Sequence, residues 1–224
     1  MNFPFSRAAQ VRVAPFALFM VLLAIRGALP ADGGFDPRWV YGLGVLLVGG
    51  LLWMLRREYG ELARQNWPDW PEAVLAAGMG AVVFWLWIAL DAPWMQLSTA
   101  TAVFRPLDAQ GQLMWPLVAA RLAGAVLLVP VMEELFWRSF LMRWIESATF
   151  EAVDPMRIGP KAIVLSTFVF MLAHTLWLAS IVAGLAYVWL YRRTGKLWVA
   201  VIAHAVTNGA LGLWVLLTGN WALW

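Results

Sequence analysis

Two adjacent carboxylates, Glu133 and Glu134, lie within a long apolar run, and Arg138 follows one helical turn later. An ionisable side chain at membrane depth is costly, so it is kept only where it has a partner or a function. Residues four apart share a helix face, which predicts an ion pair between Glu134 and Arg138. Glu133 points about 100° away from Glu134 and is left to meet a histidine from another helix as a general base.

The two histidines, His174 and His204, also lie in apolar segments. Asn208 follows His204 by one helical turn, and Phe170 precedes His174 by the same spacing. Counted along the helices from the predicted cytoplasmic ends, Glu133, His174 and His204 are roughly 14, 18 and 10 Å deep. These similar depths predict that the polar groups meet in one cavity.

Such a cluster has the groups that peptide hydrolysis needs. Glu133 and His174 can orient and deprotonate water, while His204 and Asn208 can donate hydrogen bonds to the oxyanion. A zinc site formed by Glu133, His174 and His204 is the nearest alternative, although the H-E-x-x-H motif is absent. Non-catalytic alternatives are a proton-coupled transporter and a binding or scaffold protein, and each polar group taken alone can serve helix packing.

The elements that must position these groups are membrane helices. The 224 residues are 62% hydrophobic and 13% charged, about half the charge of a soluble domain. This length allows about seven to eight spans of about 20 residues. We therefore predict an all-α fold, a polytopic transmembrane helical bundle, with residues 1–224 as a single membrane domain. The net charge of +3 comes from basic residues that mostly lie at helix ends, so we expect no nucleic-acid partner.

Hydropathy places the apolar spans. They are predicted at residues 13–30, 38–55, 72–90, 114–142, 161–178, 179–191 and 197–217. The fifth and sixth are nearly continuous, so either a tight turn joins them or one does not cross fully. Pro130 is expected to kink the fourth span just before the carboxylate pair.

Basic residues fall in alternate connecting segments, which predicts the orientation. They are Arg7 and Arg12, then Arg56, Arg57 and Arg64, then Arg143, Arg157 and Lys161, and finally Arg192, Arg193 and Lys196. The positive-inside rule makes this side, with the N-terminus, cytoplasmic. Arg26 and Arg121 lie nearer the other ends of their spans, where we expect them to snorkel without a functional role.

Three motifs of the C-terminal half carry a family resemblance. Glu133-Glu134-x-x-x-Arg138, Phe170-x-x-x-His174 and His204-x-x-x-Asn208 occur in that order. In order and spacing, the region 115–215 resembles the type II CAAX prenyl endopeptidase family, also called the CPBP or Abi family of intramembrane proteases.

The resemblance implies a function and a location. Glu133 and His174 would activate water, His204 and Asn208 would form the oxyanion pocket, and Glu134, Arg138 and Phe170 would support the motifs. The cavity would face the cytoplasm, and the substrate would be a protein or lipidated peptide cut within the lipid bilayer. The compact chain resembles bacterial members, which implies the bacterial inner membrane. The family has been described both as metal-dependent and as metal-free; we expect no cofactor, with zinc as the alternative. A catalytically silent scaffold or bacteriocin-immunity protein is the alternative function.

Overall fold

The fold consists of helices in the part of the chain that the structure describes. A computed structural model describes residues 6–30, 34–97 and 103–224. Within those ranges no β-strand occurs, and seven principal helices are joined by short turns and loops. They are α1 (Arg7–Ala28), α2 (Trp39–Leu55), α3 (Trp70–Ala89), α4 (Trp115–Glu146), α5 (Pro160–Leu172), α6 (Trp177–Thr194) and α7 (Leu197–Thr218). The predicted all-α class is confirmed.

Five of the described helices are long and apolar enough to cross a membrane, namely α1, α2 with its extension to Glu58, α3, α4 and α7. The exact count of seven to eight spans is not confirmed. The difference lies in the predicted spans 161–178 and 179–191. Here α5 has only 13 residues, and α6 has 18 residues with two arginines, Arg192 and Arg193, in its last turn.

Helix α4 is irregular around the carboxylate pair. Gly124–Leu128 and Leu135–Leu141 are π-helical, and the α-helical segment Val129–Glu134 lies between them. Pro130 has no N–H to donate and its ring crowds the preceding turn, so a widened turn relieves the conflict. The irregularity therefore lies where Pro130 predicts it, directly before Glu133.

Helices α5 and α6 form a short hairpin whose turn is covered by the loop that follows α3. The backbone N–H of Leu97 donates to the Thr175 carbonyl at 2.8 Å. The indole N–H of Trp177 donates to the Trp94 carbonyl at 3.0 Å. These contacts hold the loop that follows α3 against the turn between α5 and α6.

Helices α3 and α7 pack closely through a glycine. A methyl group at Gly80 would come within 2.9 Å of Cβ of Val206, so a side chain there would force the helices apart. The Thr207 hydroxyl on α7 donates to the Gly80 carbonyl at 2.9 Å. Because Thr207 lies between His204 and Asn208, this packing fixes the part of α7 that carries the third motif.

The segments with basic residues meet at one end of the bundle, which we call the basic end. Lys196, just before α7, lies 2.6 Å from Glu72 at the beginning of α3. The indole N–H of Trp198 donates to the carbonyl of Leu62 in the α2–α3 connection at 3.1 Å. Gly195 has φ of 69°, a left-handed conformation that glycine adopts easily and that lets α7 begin directly after α6.

A buried network closes the basic end. Arg12 on α1 donates two hydrogen bonds of 2.7 Å to the carboxylate of Glu61, which also accepts the hydroxyl of Ser139 on α4. Burial raises the pKa of Glu61, but the hydrogen bonds and charge of Arg12 and the Ser139 hydroxyl outweigh it and hold that pKa below its usual range. The network therefore joins α1, α4 and the α2–α3 connection through an ionised carboxylate.

Replacing Glu61 with Gln should destabilise the protein at neutral pH by about 3–5 kcal/mol, because the buried Arg12 loses its counter-charge. Because the pKa of Glu61 is lower in the folded than in the unfolded protein, its ionised form stabilises the fold fully above the unfolded pKa, and this contribution is lost as the pH falls from there through the folded pKa. The difference between variant and wild type in thermal unfolding, followed by tryptophan fluorescence in detergent, should therefore shrink below about pH 4.5.

Glu58→Gln is the matched control, because Glu58 pairs with Arg7 at 3.2 Å on an exposed surface. Its effect should stay within about 0.5 kcal/mol. Equal effects of the two substitutions would contradict the assignment of Glu61 to a buried network.

Candidate active site

A small cavity lies inside the bundle, between α3, α4, α5, α6 and α7. Its volume is about 120 Å³, enough for several water molecules. Glu133, His174, His204 and Asn208 all line this cavity. The structure thus brings together, from three helical regions, the four polar residues that the sequence predicted to meet.

Glu134 lies behind the cavity and is fully buried. Its Oε2 atom is 3.1 Å from Nε of Arg138, which confirms the predicted ion pair. Its Oε1 atom is 2.9 Å from Nδ1 of His204 on α7, a contact that the sequence did not predict. One carboxylate therefore holds a guanidinium on its own helix and an imidazole on another.

Arg138 is 2% exposed and is enclosed by α5 and α6. Its guanidinium carbon lies 4.6 Å from the ring centre of Phe170 and 5.4 Å from that of Tyr187. An Nη atom donates to the Gly184 carbonyl at 3.3 Å. Phe170, expected only as motif support, packs its ring between the arginine and His174, since its centre is 4.3 Å from that of the imidazole.

The hydrogen bond of His174 defines its tautomer. Nδ1 lies 2.8 Å from the carbonyl oxygen of Phe170. A carbonyl can only accept, so Nδ1 carries the hydrogen, and in the neutral ring Nε2 has the lone pair. His174 lines the cavity and can therefore accept a proton at Nε2.

His204 is held in a different way. The carboxylate of Glu134 accepts a hydrogen bond from Nδ1, and the ring stacks on Tyr187 with centres 5.0 Å apart. Because Nδ1 carries one proton, Nε2 can donate to an oxyanion only when the ring is an imidazolium. The expected role of His204 in the oxyanion pocket therefore requires its charged form.

The amide of Asn208 is oriented by helix α4. Its Nδ2 donates at 2.9 Å to the carbonyl of Ala125, which belongs to the π-helical turn before Pro130. An amide nitrogen has two hydrogens, so the second can be donated to a substrate oxygen. The irregular turn in α4 thus positions a donor on α7.

Glu133 is half-buried and faces the cavity. Its Oε2 accepts a hydrogen bond of 3.2 Å from the indole N–H of Trp137, four residues later on α4. Among the described residues it makes no direct hydrogen bond to His174, although both line the cavity. The space between the two groups is where a water molecule can bind.

A second cavity of about 290 Å³ shares Glu133, His174 and Asn208 with the first. It extends away from the basic end, toward Arg121 near the beginning of α4 and Trp224 at the end of the sequence. In the other direction the site is closed, because the next residues toward the basic end are buried. They are Trp137, Arg138, Tyr191 and Leu197.

The cavity therefore extends toward the end opposite the basic segments. Sequence reasoning predicted that the basic segments and the cavity opening share one side, the cytoplasmic one. The lining of the second cavity instead extends away from the basic segments, and the side on which the cavity opens stays a prediction. The Glu134–Arg138 pair and the aromatic side chains around it lie nearer the basic end.

The residues that could bind zinc line one cavity but are not arranged as a metal site. In residues 6–30, 34–97 and 103–224, no group of three or more His, Asp or Glu side chains is arranged to hold a metal ion. Nδ1 of His174 and Nδ1 of His204 are already engaged by a carbonyl and a carboxylate. The zinc alternative with Glu133, His174 and His204 thus has no preformed ligand set in this part of the structure, and the metal-free site stays a prediction.

Comparison with known proteins supports one family. Residues 114–210 match the family model described as Type II CAAX prenyl endopeptidase Rce1-like. This region contains all three motifs and is similar to that family of proteases. No curated protein and no solved structure matches the chain. The family and the five apolar helices together make it an integral membrane protein.

Sequence reasoning missed several residues around the site. Tyr187 stacks on His204, and its hydroxyl donates to Thr207 at 2.8 Å. Trp137 donates to Glu133 and could have been found from its spacing of four residues. Trp87 on α3 lies edge-on to His174, 5.9 Å between ring centres, and no local pattern connects those two positions.

The direction of the opening can be measured with single cysteines, because the sequence contains none. Ala125→Cys, in the second cavity, should react with a membrane-impermeant thiol reagent from the same side as Gln110→Cys. Gln65→Cys, near the basic end, should react from the other side. Leu135→Cys should stay unreactive, since position 135 is fully buried. Labelling of Ala125→Cys from the side of Gln65→Cys would contradict the structure-based opening.

Proposed function

We propose that this protein is an intramembrane endopeptidase of the CAAX prenyl protease type, acting on a protein or lipidated peptide. The observation that carries the proposal is the convergence of Glu133, His174 and Asn208 on one water-sized space within the bundle. The family match of residues 114–210 supports the same class of reaction.

In the proposed reaction, a water molecule binds between Glu133 and His174. Glu133 or Nε2 of His174 accepts its proton as the oxygen attacks the carbonyl carbon of the peptide bond. The resulting oxyanion accepts a hydrogen bond from the second amide hydrogen of Asn208, and from His204 when that ring is an imidazolium. The protonated base then gives its proton to the leaving amine as the carbon–nitrogen bond breaks.

Glu134 does not take part in proton transfer in this scheme. Its two oxygens face Arg138 and Nδ1 of His204, so it orients the imidazole and offsets the guanidinium charge. The motif therefore combines two glutamates with different tasks. Glu133 is the proposed base, and Glu134 is the proposed positioning residue.

We further infer that all seven helices belong to the membrane domain, with α5 and α6 as a short pair. At about 1.5 Å per residue, a helix of 13 residues extends only about 20 Å, less than the roughly 30 Å of the hydrocarbon layer. The turn that carries His174 then lies at membrane depth. Irregular backbone is tolerated there when it lines a cavity, as His174 does.

Glu133→Gln should lower the rate of substrate cleavage by about 100- to 10,000-fold, because the amide cannot accept the proton of water. Thermal stability should change little, since Glu133 accepts a hydrogen bond from Trp137 that the glutamine oxygen can also accept. The measurement is mass spectrometry of membrane proteins from cells with the wild-type or variant protein, where the uncut substrate accumulates with Glu133→Gln.

Glu151→Gln is the control for a charge change, because Glu151 is exposed and remote from the cavity. It should retain full cleavage. If the folded Glu133→Gln variant cleaves the substrate at the wild-type rate, the proposed mechanism is wrong and a catalytically silent scaffold is favoured.

A further inference from the structure

A third cavity lies between α5 and α6 at the basic end, and we call it the hairpin groove. Its volume is about 640 Å³, within the range typical of ligand sites. Apolar side chains of both helices and two arginines line it, among them Ile163, Leu185, Val188, Trp189, Arg192 and Arg193. Among the described residues, none lines both this groove and a cavity of the candidate active site. The proposed hydrolysis therefore leaves the groove unexplained.

The part of the groove on α6 follows one stripe of that helix. Leu185, Val188, Trp189 and Arg192 are spaced i, i+3, i+4 and i+7, so they share a helix face. The seven residues from the first to the last of them extend about 10 Å along the helix axis. The face therefore changes from apolar to cationic within two helical turns. A ligand that follows it must be apolar along most of its length and anionic at one end.

Arg192 has a donor without a partner. Its Nε atom is buried, and no residue in the described part of the chain accepts a hydrogen bond from it. The buried arginines Arg12 and Arg138 each face a carboxylate, at 2.7 and 3.1 Å. No described carboxylate forms such an ion pair with Arg192 or Arg193. A buried donor on a cation is costly without an acceptor, and an anionic ligand would supply one.

Arg193 lies beside the same end of the groove. Its guanidinium carbon is 5.5 Å from the ring centre of Trp189, a cation–π contact that holds the charge next to the apolar wall. The acidic side chain of Asp154, close in sequence to the groove, is 3.5 Å from Arg157. That ion pair adds no net charge, so it does not compensate the two arginines of the groove.

The surface around the groove is apolar on both helices. Val164 and Phe168 on α5 are exposed, and so are Leu185 and Trp189 on α6. In an integral membrane protein, such side chains contact lipid chains, which are as apolar as leucine. The positive-inside rule predicts that the basic end is cytoplasmic, and anionic lipids give that leaflet its negative surface potential. A lipid of that leaflet has both the apolar chain and the negative charge that the groove requires.

We propose that the hairpin groove binds an anionic phospholipid of the bilayer. Its phosphate group lies at Arg192 and Arg193, and one acyl chain follows the apolar stripe of α6 from Trp189 to Leu185. The lipid contacts both α5 and α6, the helices whose connecting turn carries His174, so it stabilises that hairpin. A free phosphate ion is not the ligand, because it leaves the apolar part of the groove unused. The site does not depend on the proposed hydrolysis.

The test is native mass spectrometry of the full chain in neutral detergent, titrated with phosphatidylglycerol or phosphatidylcholine of the same acyl chains. The first phosphatidylglycerol should bind about 10- to 30-fold more tightly than the first phosphatidylcholine, as expected for two arginines beside one anionic headgroup. Arg192→Gln combined with Arg193→Gln should remove this preference. Phosphatidylglycerol should also raise the thermal unfolding midpoint of the wild type more than that of this variant, because a ligand of the folded state stabilises it.

Arg56→Gln combined with Arg57→Gln is the matched control. These arginines are also adjacent and lie at the basic end, and the guanidinium carbon of Arg56 is 4.1 Å from the ring centre of Trp53. Neither lines the hairpin groove. The control removes the same charge and should keep the preference for phosphatidylglycerol. Equal loss of the preference in the two double variants would overturn the proposal, because binding would then follow net charge alone.

Leu185→Trp tests the apolar part of the groove with both arginines in place. Position 185 is exposed, so the larger side chain fits without disturbing the core, and it occupies the space proposed for the acyl chain. Phosphatidylglycerol should bind about 10-fold more weakly, the loss expected when about two methylene groups are no longer buried. Unchanged binding, or displacement of the lipid by an equal concentration of inorganic phosphate, would overturn the proposal, because the ligand would then be a phosphate group alone.

Discussion

The buried carboxylate of Glu134 is the constraint on which the candidate site depends. A fully buried charge is stable only with close partners, and Glu134 has two, Arg138 at 3.1 Å and His204 at 2.9 Å. Through Arg138 it reaches the ring of Phe170 on α5 and the Gly184 carbonyl on α6. One carboxylate and the arginine beside it therefore connect four helices, and removing either partner of the pair leaves the other buried without its counterpart.

This arrangement also determines what the neighbouring residue can do. Because Glu134 points into the packed half of the bundle, Glu133 is turned about 100° along α4 and faces the cavity. Nearer the basic end, Arg12, Glu61 and Ser139 form a further buried layer. The second cavity extends the other way, from Glu133 toward Arg121.

The sequence predicted the parts of this account that depend on local spacing. The Glu134–Arg138 pair, the irregularity at Pro130 and the presence of the polar residues around one cavity follow from helix geometry. It did not predict that His204 contacts Glu134, because that contact joins positions 70 residues apart and depends on how α7 is rotated. Hydropathy likewise could not show that α5 has only 13 helical residues, or that Arg121 stacks on Tyr41 beside a cavity.

The central claim is that Glu133 and Glu134 have different tasks, Glu133 as the base in the cavity and Glu134 as the buried positioning residue. Carbodiimide labelling of the unmodified protein tests this claim most directly. A hydrophobic carbodiimide reacts with carboxyl groups that it can reach, and tandem mass spectrometry distinguishes adjacent residues. The adduct should form on Glu133, which lines the cavity, and not on Glu134, which is fully buried between two partners. An adduct on Glu134 in folded protein, or equal labelling of both residues, would contradict the account.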